Sequence, residues 1–507
     1  MIAEAEIEMP AVTELAGHEL KTLARQSSHY LAGLMGNMAL GLVAFPIFTR
    51  VFSVSTYGTI DLAQKVVLLL TVVSKGGLQN AALRFYDKEQ FARNWALARG
   101  YYSTMFFGVL ATSTAVTVLF VAVSQFAPAS VTGGPLGVLI YVMAVLVMLR
   151  ALGSILWAFL RIEERTKIFN VASVGTRATT IAAVCALLPL AGRSPMAYFT
   201  GVVLAESALV AWLTVWLLKR GALAPGCLDV AQCRAGMAFG MPLVLYEFGF
   251  VMLGSADRFL VRLYLGPDAL GVYSVAYGLA QHANEVLLAP LVLALTPIYL
   301  RLWNSAGAQK TTDFLSVSLD LFLLAAAGIL ATAACSAQPL VVLLASSKYA
   351  GAGRLIPLLL AGLLVYALHI FVAAGLFIHK RSLQMTAILA LAAVFNIGLN
   401  CLLLPRAGLI GGAWATLLSY GFCVFWLARA SIRLLPLHIK MGPLTKYGAA
   451  GILAWMAGSR IEFSSPILHL FATSTLTVGV YCVALYALDA RVRHAVRWAA
   501  VRIHNCL

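Results

Sequence analysis

Charge is scarce in this sequence: 11% of its 507 residues are Asp, Glu, Lys or Arg, against 61% hydrophobic residues, and the mean hydropathy is +0.89. Soluble domains carry roughly a quarter charged residues. A soluble fold is therefore excluded, because so few polar side chains cannot cover so much apolar mass. No GxxxxGK[ST] phosphate loop is present, so the chain does not draw directly on ATP. The eight cysteines (Cys185, Cys227, Cys233, Cys335, Cys401, Cys423, Cys482 and Cys506) show no CxxC spacing and mostly sit in apolar runs. That excludes a disulfide framework or a zinc site and leaves them as small apolar fillers. Positive charge is also missing where a secretory signal would carry it, since Glu4, Glu6, Glu8, Glu14 and Glu19 occupy that stretch. The N-terminus is expected to stay on the mature protein.

Long apolar runs are what the sequence has instead. They lie near residues 30–48, 60–83, 100–124, 136–160, 168–189, 196–218, 236–263, 269–298, 314–337, 354–378, 383–404, 409–430, 446–458 and 467–488. A crossing takes about 20 apolar residues, so the expectation is an all-α membrane protein of about 14 transmembrane helices, the thirteenth run being short. The connections are brief and leave no room for a soluble catalytic domain. With the N-terminus taken as cytoplasmic, the 36 Lys and Arg divide into 24 on that side, 7 opposite (Arg50, Arg193, Arg262, Lys348, Arg354, Arg406 and Arg460) and 5 within helices. The positive-inside bias then places both termini in the cytoplasm and requires an even number of spans. The net charge of +16 follows from this topology rather than from a nucleic-acid-binding face.

Two stretches recur. Tyr57-Gly58, Ala63 and Tyr86 reappear as Leu270-Gly271, Ala276 and Tyr299, at an offset of 213 residues. Arg165 and the run Leu187-Leu188-Pro189-Leu190-Ala191-Gly192 reappear as Arg381 and Leu403-Leu404-Pro405-Arg406-Ala407-Gly408, at an offset of 216. Duplication at nearly one offset points to two parallel six-helix lobes related by an axis along the membrane normal. The expected organisation is a cytoplasmic extension 1–28, an N-terminal lobe 29–220, a C-terminal lobe 221–435, two further helices 436–490 and a basic cytoplasmic tail 491–507.

The residues also carry a resemblance. Asn396 to Thr416 (NIGLNCLLLPRAGLIGGAWAT), Asp257-Arg258-Phe259-Leu260 leading to Leu265-Gly266 and Gly271 to Ala276, and Thr49-Arg50-Val51-Phe52 leading to Tyr57-Gly58, Gly77-Leu78 and Ala82 to Tyr86 are similar to the signatures of the polysaccharide transporter, or Wzx-type oligosaccharide flippase, family. The similarity spans residues 28–434. It implies two bundles facing a central cavity and alternating access on undecaprenyl-pyrophosphate-linked oligosaccharide, moved from the cytoplasmic to the periplasmic leaflet of a bacterial inner membrane for exopolysaccharide, O-antigen (lipopolysaccharide) or capsule synthesis. Implied partners are the lipid-linked oligosaccharide, membrane lipids, and polymerase and chain-length proteins of the same pathway. Relatives in the superfamily include lipid II flippases and multidrug antiporters, and the acidic N-terminal extension departs from the pattern.

A charge at the bilayer centre costs about 2.5–3.5 kcal/mol on insertion scales, so one kept there has a reason. The basic set is Lys65, Lys75, Arg150, Arg177 and Arg258; the acidic set is Asp61, Glu206, Glu247, Asp257, Glu285 and Asp320, with His282 and His369 read as buried. A pyrophosphate cargo needs cationic donors in its cavity, so the five basic residues are candidates for a cationic lining. Glu247 and Arg258, eleven residues apart, fall within about 20° of one face if helix seven is continuous. Glu206, Glu247, Asp257 and Glu285 are candidates for H+ or Na+ coupling; no other cofactor and no metal is expected. Each charge also has a plain structural reading: Asp61 and Lys65, at i and i+4, neutralise each other, Asp257 and Arg258 bridge helices, and the carboxylates stay protonated. The Gly236/Gly240 and Gly408/Gly412 spacings suit close helix packing, and the arginines at 491, 493, 497 and 502 need nothing beyond topology. The rival readings are a multidrug-type (MATE-like) drug or cation antiporter, whose cavity would be acid-dominated, and a membrane polysaccharide polymerase or ligase, which would need a large external loop. No enzyme activity is expected.

Overall fold

The computed structural model describes residues 33–126, 135–437 and 441–494. The 1–28 extension, Arg497, Arg502 and Cys506 lie outside them. Every described regular element is helical. Ten helices are long and apolar enough to cross a membrane, or eleven if the bent pair Ser347–Arg354 and Ile356–Val372 forms one span. In chain order they begin with α1 (Gly33–Val51), α2 (Val54–Ser74), the short α3 (Leu78–Arg84) and α4 (Lys88–Arg93), α5 (Trp95–Ser124), α6 (Pro135–Ile162), α7 (Thr166–Ala191) and α8 (Pro195–Lys219). Next come α9 (Val230–Leu253), α10 (Ala256–Leu344), α11 (Ile356–Ala367), α12 (His369–Val372), α13 (Ala374–Ile378), α14 (Ser382–Ser431), α15 (Met441–Gly458) and α16 (Pro466–Leu488).

Three stretches are too long for one crossing: 57 residues in Val230–Val286, 50 in Leu295–Leu344 and 50 in Ser382–Ser431. Each is resolved by a glycine. Helix α10 turns at Gly266 (φ 85°) and Gly307 (φ 80°), and α14 turns at Gly408 (φ 58°). Positive φ is nearly free for glycine and costly for residues with a Cβ, which is why the corners fall there. Divided at these glycines, and with the bent pair counted once, the described crossings number thirteen. Helix α15, the counterpart of the short thirteenth run, has 18 residues and is about 27 Å long at 1.5 Å per residue, but it is not among the helices apolar enough to cross. Apolar side chains that face outward, such as Leu263 (73% exposed) and Val171 (70%), suit contact with acyl chains.

Two sequence readings are corrected here. The run 236–263 is not one helix: α9 ends at Leu253, the chain breaks at Gly254-Ser255, and α10 begins at Ala256, so the shared face argued for Glu247 and Arg258 does not carry across the break. Gly408 is a corner with nothing near its missing Cβ, whereas Gly236 and Gly240 do pack closely.

The described residues form two compact units, one of those within 33–44 and 66–244 and one of those within 45–65 and 245–494. Helix α2 therefore gives its first half to one unit and its second half to the other. The first unit packs around Leu78, Tyr101, Tyr102, Met105, Phe159 and Leu217. In it, the Gly77 (φ 75°) and Gly240 backbones meet so closely that a Cβ on Gly77 would lie 2.5 Å from the Gly240 Cα. Short connections are held by caps: Asn94 accepts from the Ala96 and Leu97 amides at the start of α5, and Ser194 accepts from Ala197 ahead of Pro195 at the start of α8. The second unit packs around Tyr273, Leu359, Leu360, Phe371, Leu389 and Tyr420.

A smaller cluster (Ala331, Tyr447, Ala450, Ala454, Tyr481 and Leu485) seats α15 and α16 on the last leg of α10. At its rim, Arg491 donates from Nη1 to Asp320 (3.0 Å), and from Nη2 to Asp489 (3.0 Å) and to the Tyr447 hydroxyl (3.1 Å). The hydrogen bond from Arg491 holds the Asp489 carboxyl below its usual range, and Asp489 in turn raises the guanidinium.

Gly240→Val should destabilise by about 1–3 kcal/mol through overpacking, whereas Gly479→Ala, with open space around it, should not; thermal unfolding in detergent compares them. Asp489 is depressed on folding, so its contribution is present above the ordinary carboxylate value of 3.8 and is lost as pH falls through the lower folded value. Arg491 is half exposed, which limits the effect to about 1 kcal/mol. Protection factors in α15 and α16, taken relative to the intrinsic exchange rate at each pH, should therefore fall on acidification in the native protein and lose that acid dependence in Asp489→Asn; equal acid dependence in both would contradict the clamp.

Candidate functional site

Four of the charges singled out in the sequence meet inside the second unit. Asp61 and Lys65 lie on the first half of α2, and Asp257 and Arg258 form the first turn of α10, where the helix N-terminus favours a carboxylate. The Arg258 side chain is 4% exposed. Its Nε donates to Asp61 Oδ2 (2.9 Å), and its Nη1 donates to Asp257 Oδ1 (3.2 Å) and to the Gly254 carbonyl (2.8 Å). The guanidinium carbon lies 4.0 Å from the centre of the Tyr277 ring, a cation–π contact that gains strength in a dry site. Asp61 also accepts from Ser274 Oγ (2.7 Å) and faces Lys65 Nζ at 3.9 Å. Asp257 Oδ2 accepts from the Tyr273 hydroxyl (2.6 Å) and, at 3.4 Å, from Thr416 Oγ1.

The cluster pairs two cations with two carboxylates, so in this conformation Arg258 is a neutralised cation, with Nε and Nη1 committed, rather than an open anion receptor. Removing one member of such a cluster strands a charge.

Two contacts in this region join positions that the repeat makes equivalent. Gly58 and Gly271, 213 residues apart, touch backbone to backbone: a Cβ on Gly58 would lie 2.6 Å from the Gly271 nitrogen. Asp61 and Ser274, joined by the 2.7 Å hydrogen bond, have the same spacing.

Beside Tyr273 and Thr416 lie Asn396 and Asn400, both fully buried. Asn400 donates to the Asn396 carbonyl (2.9 Å) and side-chain oxygen (3.1 Å), which leaves Asn396 Nδ2 and Asn400 Oδ1 without hydrogen-bond partners. Buried polar atoms rarely go unsatisfied without a reason. Both residues sit in the motif quoted above for its resemblance, but their amides gave no signal on their own. Tyr273, Tyr277, Thr416 and Tyr420 were likewise missed, because hydroxyl residues are ordinary in membrane helices.

The other candidates are dispersed. In the first unit, Arg150 pairs with Glu206 (3.6 Å), Lys75 is buried in the turn after α2, and Arg177 is exposed on α7. In the second unit, Glu285 accepts from Gln281 (3.0 Å) and lies 3.6 Å from His282, and Glu247 is half-buried on α9. His282 and His369, read as buried, are only partly so.

The second unit also holds a cavity of about 520 Å³ between the two later legs of α10, α11 and α16. Its walls are hydrocarbon (Leu279, Ile329, Leu340, Leu360, Leu470 and Val478), relieved mainly by the hydroxyls of Thr332, Ser336, Ser474 and Tyr481. Such a lining suits an extended apolar chain and offers nothing to a sugar.

Residues 47–354 match the profile of a family described as polysaccharide biosynthesis protein. Among solved structures, the chain is similar to the lipid II flippase MurJ in an inward-closed conformation, with 13% identity, a TM-score of 0.66, and coverage of 90% of this chain and 98% of that one. It is also similar to a multidrug resistance MATE family transporter of the MOP superfamily in an inward-facing conformation, with 13% identity, a TM-score of 0.59, and 78% and 95% coverage. An outward-facing structure of such a transporter gives 12% identity, a TM-score of 0.57, and 85% and 96% coverage. At these identities the likeness is one of fold. No curated protein matches the sequence.

Arg258→Gln, which removes the charge partner of the buried Asp257 and the partly buried Asp61, should cost about 3–5 kcal/mol in denaturation from mixed micelles. Lys65→Gln, at a partly exposed ion pair, should cost roughly 1 kcal/mol or less. Equal losses would show that Arg258 does not hold the cluster together.

Proposed function

From the premise that the chain belongs to the polysaccharide biosynthesis protein family, we propose that it translocates an undecaprenyl-pyrophosphate-linked oligosaccharide from the cytoplasmic to the periplasmic leaflet of a bacterial inner membrane, for exopolysaccharide, O-antigen or capsule synthesis. The family match over residues 47–354 carries this reading. The multi-pass fold agrees with it, and the apolar cavity by α16 offers a place for an isoprenoid tail. On this reading both termini are cytoplasmic, and two bundles expose their shared interior alternately.

The basic set Lys65, Lys75, Arg150, Arg177 and Arg258 is proposed to meet the pyrophosphate. Arg150 and Arg258 are held by carboxylates here, so engagement exchanges one anion for another: Asp61 or Glu206 yields as phosphate oxygens arrive, at little electrostatic cost. Among the candidate coupling carboxylates, Asp257 has the best-fitting surroundings. Its Oδ2 and Thr416 Oγ1 are hard oxygen donors that suit Na+, and protonation of Asp257 is the alternative.

A drug or cation antiporter is the second reading, favoured by the MATE-like fold. In a strain lacking the protein, the lipid-linked oligosaccharide should accumulate on the cytoplasmic leaflet and surface polymer should be lost. Arg258→Lys should restore more export than Arg258→Glu at matched protein levels. Intact polymer export with altered drug sensitivity would support the antiporter instead.

A further inference from the structure

The backbone builds one particular turn twice. After α6, the Glu163, Glu164 and Arg165 amides donate to Phe159, Arg161 and Leu160, and Glu164 takes φ 57°. At an offset of 216 residues, the His379, Lys380 and Arg381 amides donate to Gly375, Phe377 and Leu376, and Lys380 takes φ 56°. The two turns are the same local structure with different side chains.

Only the first carries a charged cluster. Glu163, 8% exposed, is saturated: Oε1 accepts from the Tyr102 hydroxyl (2.8 Å) and Arg220 Nη1 (3.0 Å), and Oε2 from Arg165 Nε (2.8 Å) and Arg220 Nη1 (2.8 Å). Both guanidinium groups flank one indole, Arg220 at 4.5 Å and Arg165 at 5.1 Å from the Trp216 ring. In the second turn the positions of Glu163, Trp216 and Arg220 are taken by His379, Ile432 and Pro436. The second copy folds without the cluster, so the turn does not require it.

The cluster leaves a surplus. Two guanidinium groups share one carboxylate, which gives a local net charge of about +1. Among the described residues they spend only Arg165 Nε and Arg220 Nη1. Each guanidinium offers five N–H donors, so most remain unused on side chains that are 41% and 29% exposed. Glu163 and Trp216 hold both groups in place, so an incoming anion need not order them. The site lies at the ends of α6 and α8 and the start of α7, beside Trp95 (45% exposed), Leu97 (47%) and Leu218 (52%), which is the mixture found where a helix bundle meets the headgroup layer.

We infer that Arg165 and Arg220, oriented by Glu163 and Trp216, form a binding site for the phosphate group of an anionic membrane lipid at this face of the first unit. The occupant is a lipid rather than a soluble phosphate, because the unused donors sit beside the exposed Trp95 and Leu218, side chains that suit the depth at which lipid phosphates lie. The inference is independent of what the protein transports.

The test uses the full-length protein in nanodiscs of phosphatidylcholine, with and without phosphatidylglycerol, and reads lipid retention by native mass spectrometry together with thermal stabilisation. The native protein should retain phosphatidylglycerol selectively. Arg165→Gln with Arg220→Gln should lower that selectivity about tenfold or more, the loss expected from one or two charge-assisted hydrogen bonds. Arg84→Gln with Arg93→Gln, a pair of exposed arginines from α3 and α4, should leave it unchanged. Glu163→Gln keeps both arginines and provides a check if the double variant folds poorly: selectivity should persist or increase. Equal losses in the two double variants, loss of selectivity in Glu163→Gln, or equal occupancy by inorganic phosphate in the absence of anionic lipid would each overturn the site.

Discussion

A guanidinium buried in an apolar helix bundle has to be neutralised where it sits, and in this molecule much follows from how Arg258 is neutralised. Its ion pairs reach Asp61 on α2 and Asp257 on its own helix, and from Asp257 the hydrogen bonds continue through Tyr273 to Thr416 on α14. Three helices that share no sequence neighbourhood are thereby fixed in register by directed bonds, in a solvent where hydrophobic burial between helices supplies little. The contact is also built to be exchanged. An anion presented to Arg258 replaces one carboxylate with another, and a proton or cation at Asp257 weakens the opposite side of the same guanidinium.

Gly58 touches Gly271 and Asp61 is bonded to Ser274, both at a spacing of 213 residues within the second unit. The glycine pair permits backbone-to-backbone approach without side chains that must repack. In the first unit Gly77 and Gly240 form a second contact of the same kind near the other end of α2. The duplication is visible in the backbone as well as in composition: Glu164 and Lys380 share an unusual φ, and Gly192 and Gly408 both leave their helices with positive φ after an internal proline.

Much of the fold was legible because the bilayer imposes one rule on every span. Apolar runs located most of the long apolar helices; the second run, 60–83, took in α3 as well as α2, and the short thirteenth marks a helix, α15, that is not apolar enough to count as a crossing. Three features escaped that rule. The Gly254-Ser255 break lies within a continuous apolar stretch, so hydropathy could not see it, and the same-face argument for Glu247 and Arg258 failed there. Gly408 sits in a GxxxG spacing that reads as packing, yet its positive φ makes it a corner. The ion partners of Arg258 lie 197 residues away and next door in sequence. Only folding distinguishes a lining cation from one already paired. Asn396 and Asn400 stood in a recognisable motif, but their unsatisfied amides become visible only once their neighbours are in place.

The central claim is that this bundle carries a lipid-linked sugar across a bilayer. Purified protein reconstituted into vesicles with a polyprenyl-pyrophosphate-linked oligosaccharide in both leaflets, probed from outside with an impermeant glycosidase, tests it most directly. The account predicts that protein-containing vesicles expose nearly all of the substrate, while protein-free vesicles protect the inner half. Continued protection of the inner half by active, correctly folded protein, together with protein-dependent exchange of a cationic dye for H+ or Na+, would contradict it.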